Sequence, residues 1–383
     1  MRCAAILADS PPEGRAGPDA RTNRSHSRRL VDNDAVLDML TQLGTAAATA
    51  LLGLPEPVIR QLVGSPHNTD GETLQPAVQL MLRLNQAVAV VGADSSSVTR
   101  RRQEMVRGAK LAMTPPRQVA VAELTIPTSA AALPARRYRD RGWSAAARPM
   151  IMYLHGGGWV VGDLDSHDAV CRQIALGSGC TVVSVAYRLA PEHPFPAAVT
   201  DAVAAFRWLR DNPQPEDLPG IVAVMGDSAG GNLAAVTSMA MRDAGEQLPA
   251  AQGLIYPGTD LRLSMPSINK FADGFFLTRA DMEWYRSHYA PDPEQWRNPQ
   301  VSPLLAGDHR GLPATAVWTA GFDPLRDEGS AYAQQLRDSG TTVQEQCFTD
   351  QVHGFANMGF LPGGVARTRS LGQRLASLIN RQL

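Results

Sequence analysis

The stretch Gly226-Asp227-Ser228-Ala229-Gly230-Gly231 is the one place in this sequence that fits G-x-S-x-G. It directly follows the apolar run Ile221 to Met225 and directly precedes a helical pattern from Ala229 to Met241. A serine on a tight turn between a strand and a helix has its hydroxyl raised at the edge of a sheet, placed to attack a carbonyl. Glycines on both sides let neighbouring backbone pack where a side chain would clash. The competing reading is a plain strand-to-helix turn with Ser228 as a helix cap.

Attack on an acyl carbon builds negative charge on oxygen, and fixed N–H donors must meet it. His155-Gly156-Gly157-Gly158-Trp159 follows the apolar run Met150 to Leu154, and its three glycines leave backbone N–H groups uncovered. The N–H of Ala229, at a helix N-terminus, adds a donor and a favourable dipole. A serine also needs a base and a carboxylate to orient that base. Asp323-Pro324-Leu325-Arg326-Asp327-Glu328 comes after the run Ala314 to Thr319, and Asp323 is the expected carboxylate, with Asp327 its rival. An aspartate before a proline is also a good helix start, so Asp323 is expected to cap a helix from Pro324 as well.

His353 lies in a loop after the run Thr342 to Phe348, which puts serine, aspartate and histidine in the chain order this architecture uses. Of the eight histidines, His26 lies in a polar N-terminal stretch, and His67, His288 and His309 lie outside the strand-end loops. His167 and His193 flank the expected site without a carboxylate at a matching strand end, and His155 is expected to anchor its own loop. In the resulting scheme His353 takes the Ser228 proton and returns it to the leaving group, while Asp323 holds the tautomer. No cofactor and no metal are expected, since no metal-ligand cluster is visible.

Such residues need a rigid frame. After Pro115, short apolar runs alternate with amphipathic helical patterns: 119–124, 135–138, 150–154, 181–186, 221–225, 314–319 and 342–348 as strands, and 165–176, 197–210, 229–241, a stretch from Pro324 and one from Ala366 as helices. Strands apolar on both faces, separated by helices, predict a mostly parallel sheet covered on both sides. The Pro-rich, aromatic region from Tyr256 to Pro303 breaks the alternation and reads as an insertion at the strand ends, with a helix from Thr278. Upstream, residues 30–64 read as one or two helices, 74–92 as another, and Ser95 to Ser97 caps one more through Lys110. Residues 9–29 carry hardly any large apolar side chains, and the N-terminal extension 1–29 is expected to be disordered.

At 383 residues with 44% apolar content and a net charge of −1, the chain can bury a large core and carries no basic excess for nucleic acid. Only Lys110 and Lys270 are lysines among its 36 basic residues. Cys3, Cys171, Cys180 and Cys347 are scattered without metal or disulfide spacing and read as reduced thiols. No stretch reaches the roughly 18 apolar residues of a membrane span, and the expected location is the cytoplasm.

Taken together, HGGGW at 155–159, GDLDSHD at 162–168, YRLAPEHPFPAA at 187–198, GDSAGGN at 226–232, DPLRDEG at 323–329 and HGF at 353–355 resemble the bacterial esterases of the hormone-sensitive-lipase family, in its GDSAG branch. The resemblance covers the chain from about residue 70 to its end. It implies the α/β-hydrolase fold, an eight-stranded, mostly parallel sheet flanked by helices, with a helical cap. It implies Ser228, Asp323 and His353 as a triad, and Gly157, Gly158 and Ala229 as oxyanion donors. The cap would combine residues 30–115 with an insertion at 256–303, and the core would comprise 116–255 and 304–383. A small-molecule ester of short to medium acyl chain is the expected substrate, and a homodimer through the sheet edge is expected. Two alternatives use the same scaffold: an amidase or a lactone- or drug-directed hydrolase, and a non-catalytic small-ligand receptor.

Overall fold

A computed structural model describes residues 50–89, 97–143 and 147–381. The stretch expected to be disordered, 1–29, lies outside them, as do residues 30–49 of the first helical region and Cys3.

The described residues include, from the N-terminal side, α1 (Glu56–Val63), a two-stranded ribbon of β1 (Asn68–Thr69) and β2 (Glu72–Thr73), α2 (Pro76–Ala89) and α3 (Val98–Ala112). Ser97 caps α3 as expected, its side chain accepting the N–H of Arg100. An alternating β/α series follows: β3 (Val119–Pro127), β4 (Ala132–Asp140), β5 (Arg148–Leu154), α4 (Asp168–Ser178), β6 (Thr181–Val185), α5 (Ala197–Asp211), β7 (Asp217–Asp227) and α6 (Ala229–Asp243). The last third holds β8 (Gln252–Ile255), α7 (Pro266–Lys270), α8 (Arg279–Tyr289), β9 (Thr315–Phe322), α9 (Arg326–Asp338), β10 (Val343–Val352) and α10 (Gly364–Ile379).

The eight strands β3 to β10 form one sheet in the order β10-β9-β8-β7-β5-β6-β4-β3. Neighbours from β10 to β6 are parallel, while β4 pairs antiparallel with both β6 and β3. All residues of β6 and β9 are buried, and all of β5 but Arg148. That is the signature of strands covered on both faces. One face packs on α5, α6 and α9 through residues such as Phe206, Leu233 and Leu336. The other packs on α4 and α10 through Ile174, Leu371 and Leu375.

Two expectations need correction. The strand Gln252–Ile255 was not anticipated. It has only four residues and is buried along its length, so it shows no alternation to read. The helix expected from Pro324 begins at Arg326, with Leu325 at its N-cap position. Asp323 instead accepts the Leu325 N–H at 2.8 Å, bracing the turn that leads into the helix.

A third apolar cluster joins α1 and α2 to the sheet and the insertion, through Leu74, Val78, Met81, Phe271 and Phe322. Arg102 on α3 reaches into the core region. It donates to the carbonyls of Val160 and Ala190 at 2.8 and 2.9 Å and pairs with Glu192 at 2.7 Å. Across the insertion, Thr278 and Asp281 form a capping box that starts α8.

Candidate active site

In a parallel sheet, the loops after the carboxyl ends of the strands open on one rim, where ligands bind. Four such loops carry the residues singled out by the sequence: His155 to Gly158 after β5, Ser228 after β7, Asp323 after β9 and His353 after β10.

Ser228 sits at φ 54°, ψ −117°, a conformation rare for a side-chain-bearing residue. Strain of this kind costs on the order of 1–3 kcal/mol and persists only where the surroundings impose it. They do so here: the Ser228 N–H donates to the Ile255 carbonyl at 2.8 Å, and α6 begins at the next residue. Gly230 shows how close the backbones lie, since a Cβ there would stand 1.9 Å from the Leu154 carbonyl oxygen. Gly230→Ala is therefore expected to destabilise the fold by on the order of 3 kcal/mol, read as a lowered urea midpoint; an unchanged midpoint would contradict this packing.

His353 Nε2 is 3.0 Å from Ser228 Oγ, and His353 Nδ1 is 2.9 Å from Asp323 Oδ2. Asp323 is fully buried and His353 nearly so. Asp327 turns the other way, accepting the Ser267 N–H and the Arg326 side chain, both at 2.9 Å. The arrangement can hand a proton from the hydroxyl to the imidazole, with a carboxylate fixing the opposite ring nitrogen.

The N–H groups of Gly157, Gly158 and Ala229 have no acceptor among the described residues, and all three residues line the cavity that contains Ser228 and His353. Gly157 and Gly158 have φ of 115° and 59°. Glycine reaches these conformations without the strain a Cβ would add. A Cβ on Gly158 would also meet the Tyr285 ring at 2.2 Å.

What holds this loop against the serine turn is Asp227, whose role the sequence did not reveal. Its Oδ1 accepts the Gly156 N–H at 2.9 Å and the Tyr153 hydroxyl at 2.7 Å. His167 faces the same carboxylate at 3.3 Å, so His167 does have a carboxylate at a strand end. Burial alone would raise the Asp227 carboxyl, but the facing His167 imidazole and the Tyr153 hydroxyl hold it down at about 2. His155, fully buried and stacked on Tyr187, places Nδ1 2.8 Å from the Gly156 carbonyl. Burial, with His167 nearby, lowers its pKa to about 4, which makes it a neutral member of the loop at neutral pH. The signal for this network was in the sequence, as an aspartate inside the serine motif and two histidines in and after the glycine motif, but nothing local paired them.

The other histidines make different contacts. His67 rests edge-on against Phe275 and Phe322, His288 packs on Trp284, His309 meets the Pro303 carbonyl and His193 is exposed. His26 lies outside the described residues.

The cavity has a volume of about 550 Å³. Its walls come from the sheet rim and from α2, α3 and α8, by way of Met81, Met105, Met282 and Tyr285. This size suits a small organic molecule. Glu328, deep in the wall, accepts the N–H groups of Thr259 and Asp260 at 2.6 and 3.1 Å. Burial pushes its carboxyl well above the usual range, against those two N–H groups, and the fields of Asp260 and Asp323 add to the rise.

A family profile described as the alpha/beta hydrolase fold matches residues 151–357. The carboxylic ester hydrolase LipN of Mycobacterium tuberculosis is 43% identical over 322 residues, covering 82% of this chain and 85% of that protein. The carboxylesterase NlhH of Mycobacterium tuberculosis is 35% identical over 316 residues, covering 80% of this chain and 95% of its own. Among solved structures, an ester hydrolase from the metagenome of Lake Arreo superposes with a TM-score of 0.76 at 39% identity, covering 79% of this chain and 98% of that one.

Proposed function

The chain belongs to the hormone-sensitive-lipase-like branch of the α/β-hydrolase family and is a serine carboxylic ester hydrolase, and from that premise we propose that Ser228 is its nucleophile, His353 its general base and acid, and Asp323 the carboxylate that orients the base. One observation carries the assignment: two hydrogen bonds, 3.0 and 2.9 Å long, link three side chains drawn from three different strand ends.

As Ser228 Oγ attacks the acyl carbon, its proton passes to His353 Nε2, and the tetrahedral oxyanion forms opposite the Gly157, Gly158 and Ala229 N–H groups. The C–O bond to the alcohol breaks as His353 returns the proton to it, leaving Ser228 acylated. Water then repeats the sequence on the acyl-enzyme and releases the acid. Asp227 fixes the glycine loop relative to the nucleophile through its bond to the Gly156 N–H. The cap is formed from residues 30–115 and 256–303, whose helices α2, α3 and α8 supply outer walls of the substrate cavity. A short to medium acyl chain suits a cavity of about 550 Å³, and a homodimer would form through the β10 edge of the sheet.

The reading is tested with p-nitrophenyl esters from acetyl to palmitoyl and the matching anilides. Ester turnover should peak at short or medium chains and exceed anilide turnover at every length. A preference for anilides would favour an amidase, and failure of a fluorophosphonate probe to label the protein would favour a ligand receptor.

A further inference from the structure

The cavity is mostly apolar, yet several charged side chains reach its wall, and their pairing is uneven. Glu104 is paired with Arg100 at 2.8 Å, Asp281 with Arg101 at 2.9 Å and Asp260 with Arg262 at 2.7 Å. Glu328 is held by backbone N–H groups instead, whereas Arg286 lines the cavity and makes no ion pair among the described residues. Glu283, the acid nearest it along α8, is engaged by Arg279 at 2.9 Å.

Arg286 is nevertheless held in one place. Its guanidinium lies 3.6 Å over the Trp296 ring. Its Nη1 donates to the carbonyls of Leu261 and Arg262 at 2.9 and 3.5 Å. Its Nε and Nη2 N–H groups donate to no acceptor among the described residues. A planar guanidinium with two adjacent N–H groups uncommitted matches the two oxygens of a carboxylate. A partly desolvated cation in an apolar wall also draws an anion more strongly than a surface arginine does.

We infer that Arg286 is an anion-recognition subsite of the substrate cavity, and that the enzyme takes esters bearing a free carboxylate on the part of the molecule that reaches the cap. This rests on the esterase reading and narrows it: Ser228 attacks the ester group while the remote carboxylate supplies the missing counterion of Arg286. The carboxylate can be carried on the acyl chain, as in a half-ester of a dicarboxylic acid, or on the alkoxy chain, as in a carboxyalkyl acetate.

The test compares both kinds of ester, over a range of chain lengths, with isosteres in which a primary amide replaces the carboxylate. At the favoured length kcat/KM should be about ten- to a hundredfold higher for the carboxylate than for the amide, the range expected of one desolvated charge-assisted pair. Which arm shows the preference tells which side of the ester carries the anion. Arg286→Gln should remove most of that ratio and Arg286→Lys should keep part of it. Raising the salt concentration should shrink the ratio in the unaltered enzyme, a readout that survives even if the variants fold poorly. Binding of the same pairs to Ser228→Ala protein, followed calorimetrically, reports the subsite without turnover, so a failed anion preference can be told from a failed esterase assignment. A ratio at or below one at every length in both arms, or a ratio unchanged by Arg286→Gln, would overturn the inference.

Discussion

Ser228→Ala is expected to lower kcat on a p-nitrophenyl ester by a factor on the order of 10⁵ to 10⁶, the loss seen when a triad nucleophile is removed from a protease of the same chemistry. Binding should change little, because the alcohol that is lost hydrogen-bonds only to His353 among the described side chains. Stability should hold as well. The strain at φ 54° belongs to the turn rather than to the hydroxyl, and alanine meets it with the same Cβ as serine. The measurement is single-turnover kinetics beside fluorophosphonate labelling, with thermal unfolding as the control on folding. Retained turnover in a folded, unlabelled variant would place the nucleophile elsewhere.

The second large effect concerns the carboxylate. Asp323→Asn is expected to lower kcat by about 10⁴, because an amide in that place can donate to His353 Nδ1 and favour the tautomer that cannot take the serine proton. The geometry specifies the comparison to make. Asp323 Oδ2 is 2.9 Å from the imidazole, whereas Asp327, four residues on, is turned toward Ser267 and Arg326. Asp327→Asn loses part of a contact with α7 and is expected to cost less than tenfold in kcat, with a small drop in unfolding temperature. If Asp327→Asn proved the more damaging of the two in kcat, the assignment of Asp323 would be wrong. Both variants belong in one pH-rate series, since a lost tautomer lowers the plateau of the profile while a loosened helix lowers stability.

A buried network under the serine turn links these expectations. Asp227 joins the glycine loop, Tyr153 and His167 in one hydrogen-bonded group, so the proposed oxyanion donors and the Ser228 turn share a single support. Preorganised donors of this kind lower a barrier because they need not reorient as charge develops. Arg286 has a different place in the same cavity: its uncommitted N–H groups bear on which substrate is taken rather than on how the acyl carbon is attacked.

Much of this protein was legible along the chain because the signals were local. The serine turn, the glycine loop after β5 and the loops carrying Asp323 and His353 are each contiguous, and each follows an apolar run that reads as a strand. Runs apolar on both faces foretold a covered parallel sheet, and the order of the motifs foretold which strand ends would carry them. Where the signal was not local, the sequence was silent or misleading. Gln252–Ile255 is too short and too evenly buried to show a period. The turn at Asp323 to Leu325 delayed α9, because Asp323 braces the turn instead of the helix.

The choice between Asp323 and Asp327 depended on side-chain directions four residues apart. The pairing of His167 with Asp227 spans 60 residues and two loops. The missing counterion of Arg286 emerges only when every acid near the cavity is matched to its partner in space. Residue types and their spacing therefore determined which chemistry this chain carries. Which groups meet, and which charge is left for a ligand, was decided by the packing of the sheet and the insertion, because only their assembly sets distances between residues far apart in the chain.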